Sequence, residues 1–153
     1  MPVIDRIHAL GLKLPRPTMP VANYVPYKIV GQLLWTAGMI PLVDGKPYTT
    51  GRLGAEVSME QGMECARITT LNALGWAHVA LDGDLERIAE VVQVRGFVAS
   101  TPDFYDQPKV INGCSDLLVT IFGDKGRHTR ATYGSVALPL NVPVEVDFLF
   151  AID

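Results

Sequence analysis

The chain has 153 residues, of which 48% are hydrophobic, and its 13 basic and 16 acidic residues give a formal net charge of -3. This length suits one domain with a single core, so residues 1–153 are expected to form one domain. The slightly acidic balance argues against nucleic acid and anionic membranes as partners and leaves small neutral or anionic molecules. Because a chain of this length can build a core without disulfides, Cys65 and Cys114 are expected to be reduced.

The first part of the chain, residues 1–20, is predicted to form a short helix followed by an irregular arm. Ile4, Ile7 and Leu10 recur at helical spacing, Gly11 follows them, and three prolines then disfavour regular structure. Its apolar runs are too short for a secretory signal or a membrane span. We therefore expect a cytoplasmic protein.

The next part predicts a hairpin and then a long helix. Residues 33–43 are apolar and partly β-branched, and the Asp-Gly pair at 44–45 is a strong turn signal because glycine tolerates positive φ. Ser58 and Gln61 form the S-x-x-Q pattern of a capping box. Apolar residues at helical spacing then continue towards a turn near residue 82.

The second half predicts a strand, a second long helix and a final hairpin. Residues 87–100 alternate as an interior strand, with Gly96 as a bulge or a point of close approach. Asp106 and Gly123 delimit the second helix. The order hairpin, helix, strand, helix, hairpin predicts an α+β fold, in which a mostly antiparallel or mixed sheet carries two long helices on one face.

The sequence lacks the usual motifs for metals, nucleotides and hydrolase triads. Its three histidines have no partner at i+3 or i+4, its cysteines form no C-x-x-C, and no glycine-rich phosphate loop or nucleophile elbow occurs. We therefore expect no metal and no organic cofactor. The basic cluster at 125–130 either contacts an anion or forms a solvated turn.

Two charged residues near the C-terminus stand out. Arg130 heads a predicted strand, and Glu145 lies within the strand V-P-V-E-V-D-F. The two-residue period of a strand places Val144 and Val146 on one face, and Glu145 and Asp147 on the other. This second face is either simply exposed to water or part of a site.

Several separated motifs occur together in this chain. Arg130 is followed by Leu-Pro at 138–139 and by V-E-V-D at 144–147, so that Glu145 lies fifteen positions after the arginine. Earlier segments are Pro-Tyr at 26–27, A-G-M-I-P at 37–41, and Asp-Phe at 103–104 with Asn112 after it. In this order and spacing the motifs resemble the RidA/YjgF family of enamine and imine deaminases, which is also named endoribonuclease L-PSP.

The resemblance implies a fold, an assembly and an activity. It implies a chorismate-mutase-like fold and a homotrimer with clefts between subunits, an assembly that also suits the apolar surplus of the sequence. It implies hydrolysis of a small 2-imino or 2-enamino carboxylate to a 2-keto acid and ammonia, without a cofactor. Arg130 resembles the residue that anchors the substrate carboxylate, a task that suits a planar guanidinium. Glu145 resembles the acid that holds or activates the hydrolytic water.

Four further residues are candidates for substrate binding. Tyr27 either lines the pocket or is an ordinary tyrosine at a loop edge, and Asn112 either closes the pocket or is a polar residue near a helix start. Gly38 allows the backbone to approach a ligand closely. Thr132 stands where many family members have cysteine, and Ala37 where many have serine, so the substrate range is expected to differ from that of the archetypal members.

Two other functions are compatible with the resemblance. A trimer of this fold can bind a metabolite in its clefts without turning it over. A ribonuclease is suggested by the family's second name, but an acidic chain without an aromatic and basic groove argues against it.

The predicted hairpin also sets a distance between the two site residues. If residues 132–138 pair with 143–151, Glu145 lies opposite Val136, and Arg130 is six residues farther along its strand. At about 3.3 Å per residue this separates the two by roughly 20 Å. Unless a sharp bend or bulge brings them together, the two cannot act on one substrate within a chain, and we therefore predict that each cleft takes Arg130 from one subunit and Glu145 from its neighbour.

Overall fold

The computed structural model describes residues 1–153 as a sheet with helices packed against it. In chain order the elements are α1 (Val3–Ala9), β1 (Tyr27–Val30), β2 (Leu33–Thr36), β3 (Leu42–Val43), β4 (Lys46–Pro47), α2 (Met59–Ala80), β5 (Ile88–Ala99), α3 (Gln107–Phe122), β6 (Thr129–Ser135) and β7 (Val144–Ile152). None of the helices combines the length and the apolar character needed to cross a membrane.

Five strands form the main sheet in the order β1-β2-β7-β5-β6. The pair β5 and β6 is parallel, the other neighbours are antiparallel, and β3 and β4 form a small separate hairpin. The long helices α2 and α3 pack on each other and on one face of the sheet, and the buried residues of β7 alternate to meet them. The predicted α+β class with a mixed sheet and two long helices on one face is confirmed.

Local signals account for the ends of the long helices. At the start of α2, the backbone N–H of Gln61 donates to Oγ of Ser58 at 3.1 Å, and the backbone N–H of Ser58 donates to Oε1 of Gln61 at 2.9 Å. The predicted capping box is therefore present. Gly123 ends α3 with a φ of 64°. Asp106 occupies the N-cap position of α3, but its side chain makes no capping bond.

Gly96 marks a close approach between β5 and α3. A Cβ built on it stands 2.6 Å from Cγ1 and 2.7 Å from Cδ1 of Ile111. The register shifts of β5 lie elsewhere in the strand, between Ile88 and Glu90 and between Val91 and Gln93. Of the two alternatives for Gly96, the structure therefore selects close packing on the helix and not a bulge.

The predicted C-terminal hairpin is wrong. The strands β6 and β7 lie on opposite sides of β5 and do not pair with each other. Because α3 connects β5 to β6, the two strands run parallel, as a helical crossover requires. Leu140 and Asn141 do reverse the chain with positive φ values of 56° and 59°, but this turn connects strands that are not neighbours.

The face of the sheet opposite the helices carries exposed apolar side chains. Val30 is 58% exposed, Trp35 is 42% exposed and Tyr133 is 53% exposed. The Tyr133 ring stacks on Phe97 of β5, with ring centroids 5.6 Å apart. We name this surface, formed by one face of β1, β2, β7, β5 and β6, the open face.

Candidate functional site

Arg130 lies on β6, and its side chain points to the helix side of the sheet. It pairs in register with the buried Val94 of β5. Its Nη1 donates to Oδ1 of Asn112 at 2.8 Å and to Oγ of Ser115 at 3.2 Å, both on α3. These bonds occupy one nitrogen of the guanidinium, and the edge formed by Nε and Nη2 makes no hydrogen bond within the chain.

A groove lies beside Arg130. It has a volume of about 290 Å³ and is lined by Ser115, Asp116, Val119, Arg127, His128 and Arg130. A guanidinium edge at a solvent-accessible groove can accept a planar carboxylate through two parallel hydrogen bonds. The groove thus combines Arg130, Arg127 and His128 with one acidic residue, Asp116.

Glu145 lies on β7, and its side chain points to the open face. It pairs in register with Phe97 and packs against Gly38 so closely that a Cβ on that glycine would meet its Oε2. Burial, followed by the charge of Asp147, raises the pKa of the Glu145 carboxyl above its ordinary value. A carboxyl with a raised pKa exchanges protons more readily near neutral pH, as a general acid or base must.

The neighbouring acid Asp147 has a different environment. Nε and Nη2 of Arg95 donate to its two carboxylate oxygens, each at 2.9 Å. Asp147 is thus engaged in a bidentate ion pair, whereas Glu145 has no cationic partner within the chain. Of the two acids of β7 on this face, Glu145 is the one without an ion-pair partner.

Within one chain, the predicted site residues form two separate groups. Arg130, Asn112 and Thr132 lie on the helix side at the β6 edge, and Glu145 lies with Gly38 on the open face. Two strand spacings of about 4.8 Å and three residues of about 3.3 Å separate Arg130 from Glu145 by roughly 14 Å. The pairing assumed in the sequence prediction is wrong, but the structure gives a stronger reason for the separation, since the two side chains point to opposite faces.

The remaining candidates have the following positions. Tyr27 at the start of β1 places its ring 6.1 Å from that of Trp76 on α2 and is partly buried. Thr132 lies two residues after Arg130, pairs with Gly96 and is half-buried. No three His, Cys, Asp or Glu side chains come together as a group that can hold a metal ion.

Sequence reasoning missed Ser115 and treated His128 only as part of a basic cluster. Ser115 lies three residues after Asn112 and therefore shares its face of α3. Its Oγ is 2.8 Å from Nε2 of His128. The signal in the sequence was this i, i+3 pair of polar residues at the border of the buried apolar face of α3.

Comparison with known proteins identifies the family. The family described as "YjgF/chorismate mutase-like, putative endoribonuclease" matches residues 4–152. The chain belongs to this family. The YjgF family assignment agrees with the motifs around Arg130 and Glu145, and it covers α1 as well as the sheet and the long helices.

Relatives within the YjgF family match along almost the whole chain. Protein TCP17 of Trypanosoma cruzi is 40% identical over 148 residues, which cover 96% of this chain and 92% of that protein. The crystal structure of Atu1372 from Agrobacterium tumefaciens, whose function is described as unknown, has a TM-score of 0.93 and 41% identity and covers 99% of this chain and 92% of its own. A crystal structure from Shewanella oneidensis described as a "putative endoribonuclease" has a TM-score of 0.95 and 35% identity, and the match covers 99% of this chain and 100% of that chain.

Proposed function

We propose that this protein hydrolyses 2-imino acids, the tautomers of 2-enamino acids, to 2-keto acids and ammonia. The observation that carries the proposal is the guanidinium of Arg130, which lines a groove and is held through Nη1 alone, so that its Nε and Nη2 edge is free of partners within the chain. That edge matches the planar carboxylate shared by all 2-imino acids. Membership of the YjgF family supports the assignment of Glu145 as its catalytic partner.

In the proposed mechanism Glu145 positions and deprotonates a water molecule. The water oxygen bonds to the C2 carbon while the electron pair of the C=N bond moves to nitrogen, which takes up the proton. In the resulting carbinolamine Glu145 takes the hydroxyl proton and passes it to the amino nitrogen, so that the C=O bond forms as the C–N bond breaks and ammonia leaves. The raised pKa of Glu145 suits both the removal of a proton from water or hydroxyl and its delivery to nitrogen, and the anchored carboxylate supplies orientation.

We further propose that the sites form between subunits of a homotrimer. The open face exposes the apolar side chains of Val30, Trp35 and Tyr133, and such exposure favours burial of this face against other copies. Arg130 and Glu145 point to opposite faces of the sheet in one chain, so a single small substrate cannot contact both. A cleft that takes Arg130 from one subunit and Glu145 with Gly38 from its neighbour removes this difficulty.

The first test is an imino acid hydrolysis assay with 2-iminopropionate generated freshly from 2-aminoacrylate. Removing the bidentate contact in Arg130→Ala should lower kcat/KM roughly a hundredfold, and Arg130→Lys should not restore it fully. Arg67→Ala is the matched control because it removes the same charge from α2, outside the groove. Full activity of Arg130→Ala overturns the assignment.

The alternatives give distinct results in the same experiment. A wild-type protein that binds pyruvate through Arg130 but does not accelerate hydrolysis is a metabolite-binding trimer. Cleavage of RNA together with an inactive imino acid assay favours the ribonuclease suggested by the name of the Shewanella relative.

A second test addresses the shared clefts. Arg130→Ala and Glu145→Ala subunits, each inactive alone, are unfolded, mixed and refolded together. If each cleft draws the two residues from different subunits, about a quarter of the clefts in an equal mixture regain both. Clefts formed within one chain stay inactive in every mixture, which refutes the shared-cleft proposal.

A further inference from the structure

A chain of hydrogen bonds runs from the backbone through His128 and Ser115 to Arg130. Nδ1 of His128 lies 2.6 Å from the carbonyl oxygen of Gly126, and its Nε2 lies 2.8 Å from Oγ of Ser115. The same Oγ accepts from Nη1 of Arg130 at 3.2 Å. The chain links the loop after α3, the α3 helix and the strand β6.

The direction of each hydrogen bond follows from the first one. A carbonyl oxygen only accepts, so Nδ1 of His128 carries the proton, and Nε2 of the neutral ring is an acceptor. The Ser115 hydroxyl therefore donates to Nε2 and keeps its lone pairs for Nη1 of Arg130. Burial, the largest influence, lowers the pKa of His128, with a smaller contribution from the charge of Arg130, so the neutral ring is favoured at neutral pH.

The two acceptors on α3 fix the plane of the guanidinium. Nη1 of arginine carries two hydrogens, and here one is directed to Asn112 and the other to Ser115. With both hydrogens bonded, rotation about the long side chain is restricted, and the edge formed by Nε and Nη2 keeps one direction. An exposed arginine without such partners samples many rotamers and loses entropy when it binds.

We propose that Ser115 and His128 are positioning residues that pre-orient Arg130 for the substrate carboxylate. Ser115 holds the guanidinium directly, and His128 fixes the hydroxyl so that its lone pairs face Arg130. This inference rests on the proposed function, because it assigns Arg130 the role of carboxylate anchor. It adds two residues to the site that neither the family motifs nor the sequence prediction contain.

Steady-state kinetics with 2-iminopropionate and calorimetric binding of pyruvate, the stable product carboxylate, test this role. Ser115→Ala should raise KM and weaken pyruvate binding about tenfold, with kcat changed much less. Ser115→Thr keeps the hydroxyl and should restore most of the affinity, and His128→Phe should resemble Ser115→Ala. Thr120→Ala is the matched control, since its hydroxyl bonds only to the Asp116 carbonyl on the outer side of α3.

A nitrogen NMR spectrum of the His128 ring provides a readout that does not depend on activity. The wild-type protein at pH 7.5 should show a proton on Nδ1 and none on Nε2. A proton on Nε2 would overturn the hydrogen-bond directions on which the positioning role depends. Unchanged pyruvate binding in Ser115→Ala also overturns the positioning role. If the wild-type protein neither hydrolyses 2-iminopropionate nor binds pyruvate, the proposed function fails. The assignment of Ser115 and His128 to substrate positioning then fails with it, even if the proton of His128 is on Nδ1.

Discussion

Replacing Gly38 by alanine tests whether the position of the Glu145 carboxylate controls activity. A Cβ built on Gly38 meets Oε2 of Glu145 and stands 3.0 Å from its Cδ and 3.1 Å from its Cγ. The φ of Gly38 is not positive, so an alanine fits the backbone without strain. Since optimal contacts lie at about 3.5 Å, the carboxylate must move by about 1 Å.

This displacement should affect activity far more than stability. A misplacement of about 1 Å of a group that orients water lowers kcat/KM on the order of a hundredfold. The free energy of unfolding should stay within about 1 kcal/mol of wild type, because only the end of a flexible side chain moves and alanine restricts the unfolded chain. The measurements are imino acid hydrolysis and thermal unfolding of the same preparations.

A double-mutant cycle separates this effect from general damage. In a Glu145→Ala background there is no carboxylate to displace, so adding Gly38→Ala should cause no further loss. Additive losses in the double variant, or wild-type kcat/KM in Gly38→Ala alone, refute the reasoning that Gly38 acts through Glu145.

Three further predictions concern stability and assembly. Because burial raises the pKa of Glu145, its ionised form destabilises the fold, and Glu145→Gln should raise Tm at pH 7. This gain should disappear below about pH 4.5, where the carboxyl is protonated in both the folded and the unfolded protein. A lower Tm of the variant at pH 7 contradicts the prediction. Gly96→Ala should lower the free energy of unfolding by about 1 to 3 kcal/mol in denaturant titrations, since the new methyl group overlaps Ile111, and an unchanged midpoint would be inconsistent with it. Trp35→Glu on the open face should reduce the light-scattering mass towards the 16.7 kDa of one chain. Val79→Glu, on the outer side of α2, should leave the mass unchanged. Equal masses for the two variants count against an interface at the open face.

The sequence determined those parts of the protein that depend on neighbours along the chain. The capping pair of Ser58 and Gln61, the glycine after α3 and the alternation in β7 are local patterns, and the corresponding elements begin and end close to the predicted residues. The order and spacing of several separated motifs, Arg130 and Glu145 among them, likewise indicated the YjgF family.

The tertiary structure decided which strands are neighbours and hence where the site residues point. The turn at Leu140 and Asn141 has a conformation that suits a hairpin, so no local signal showed that β5 lies between β6 and β7. Because β7 lies between β2 and β5, its alternate residues are buried in the core between the sheet and the helices. The hydrophobic free energy gained by this burial comes from contacts between residues distant in sequence. The register on β5 then places Arg130 opposite Val94 and Glu145 opposite Phe97, three residues apart, and because successive strand residues alternate in direction, the two side chains point to opposite faces.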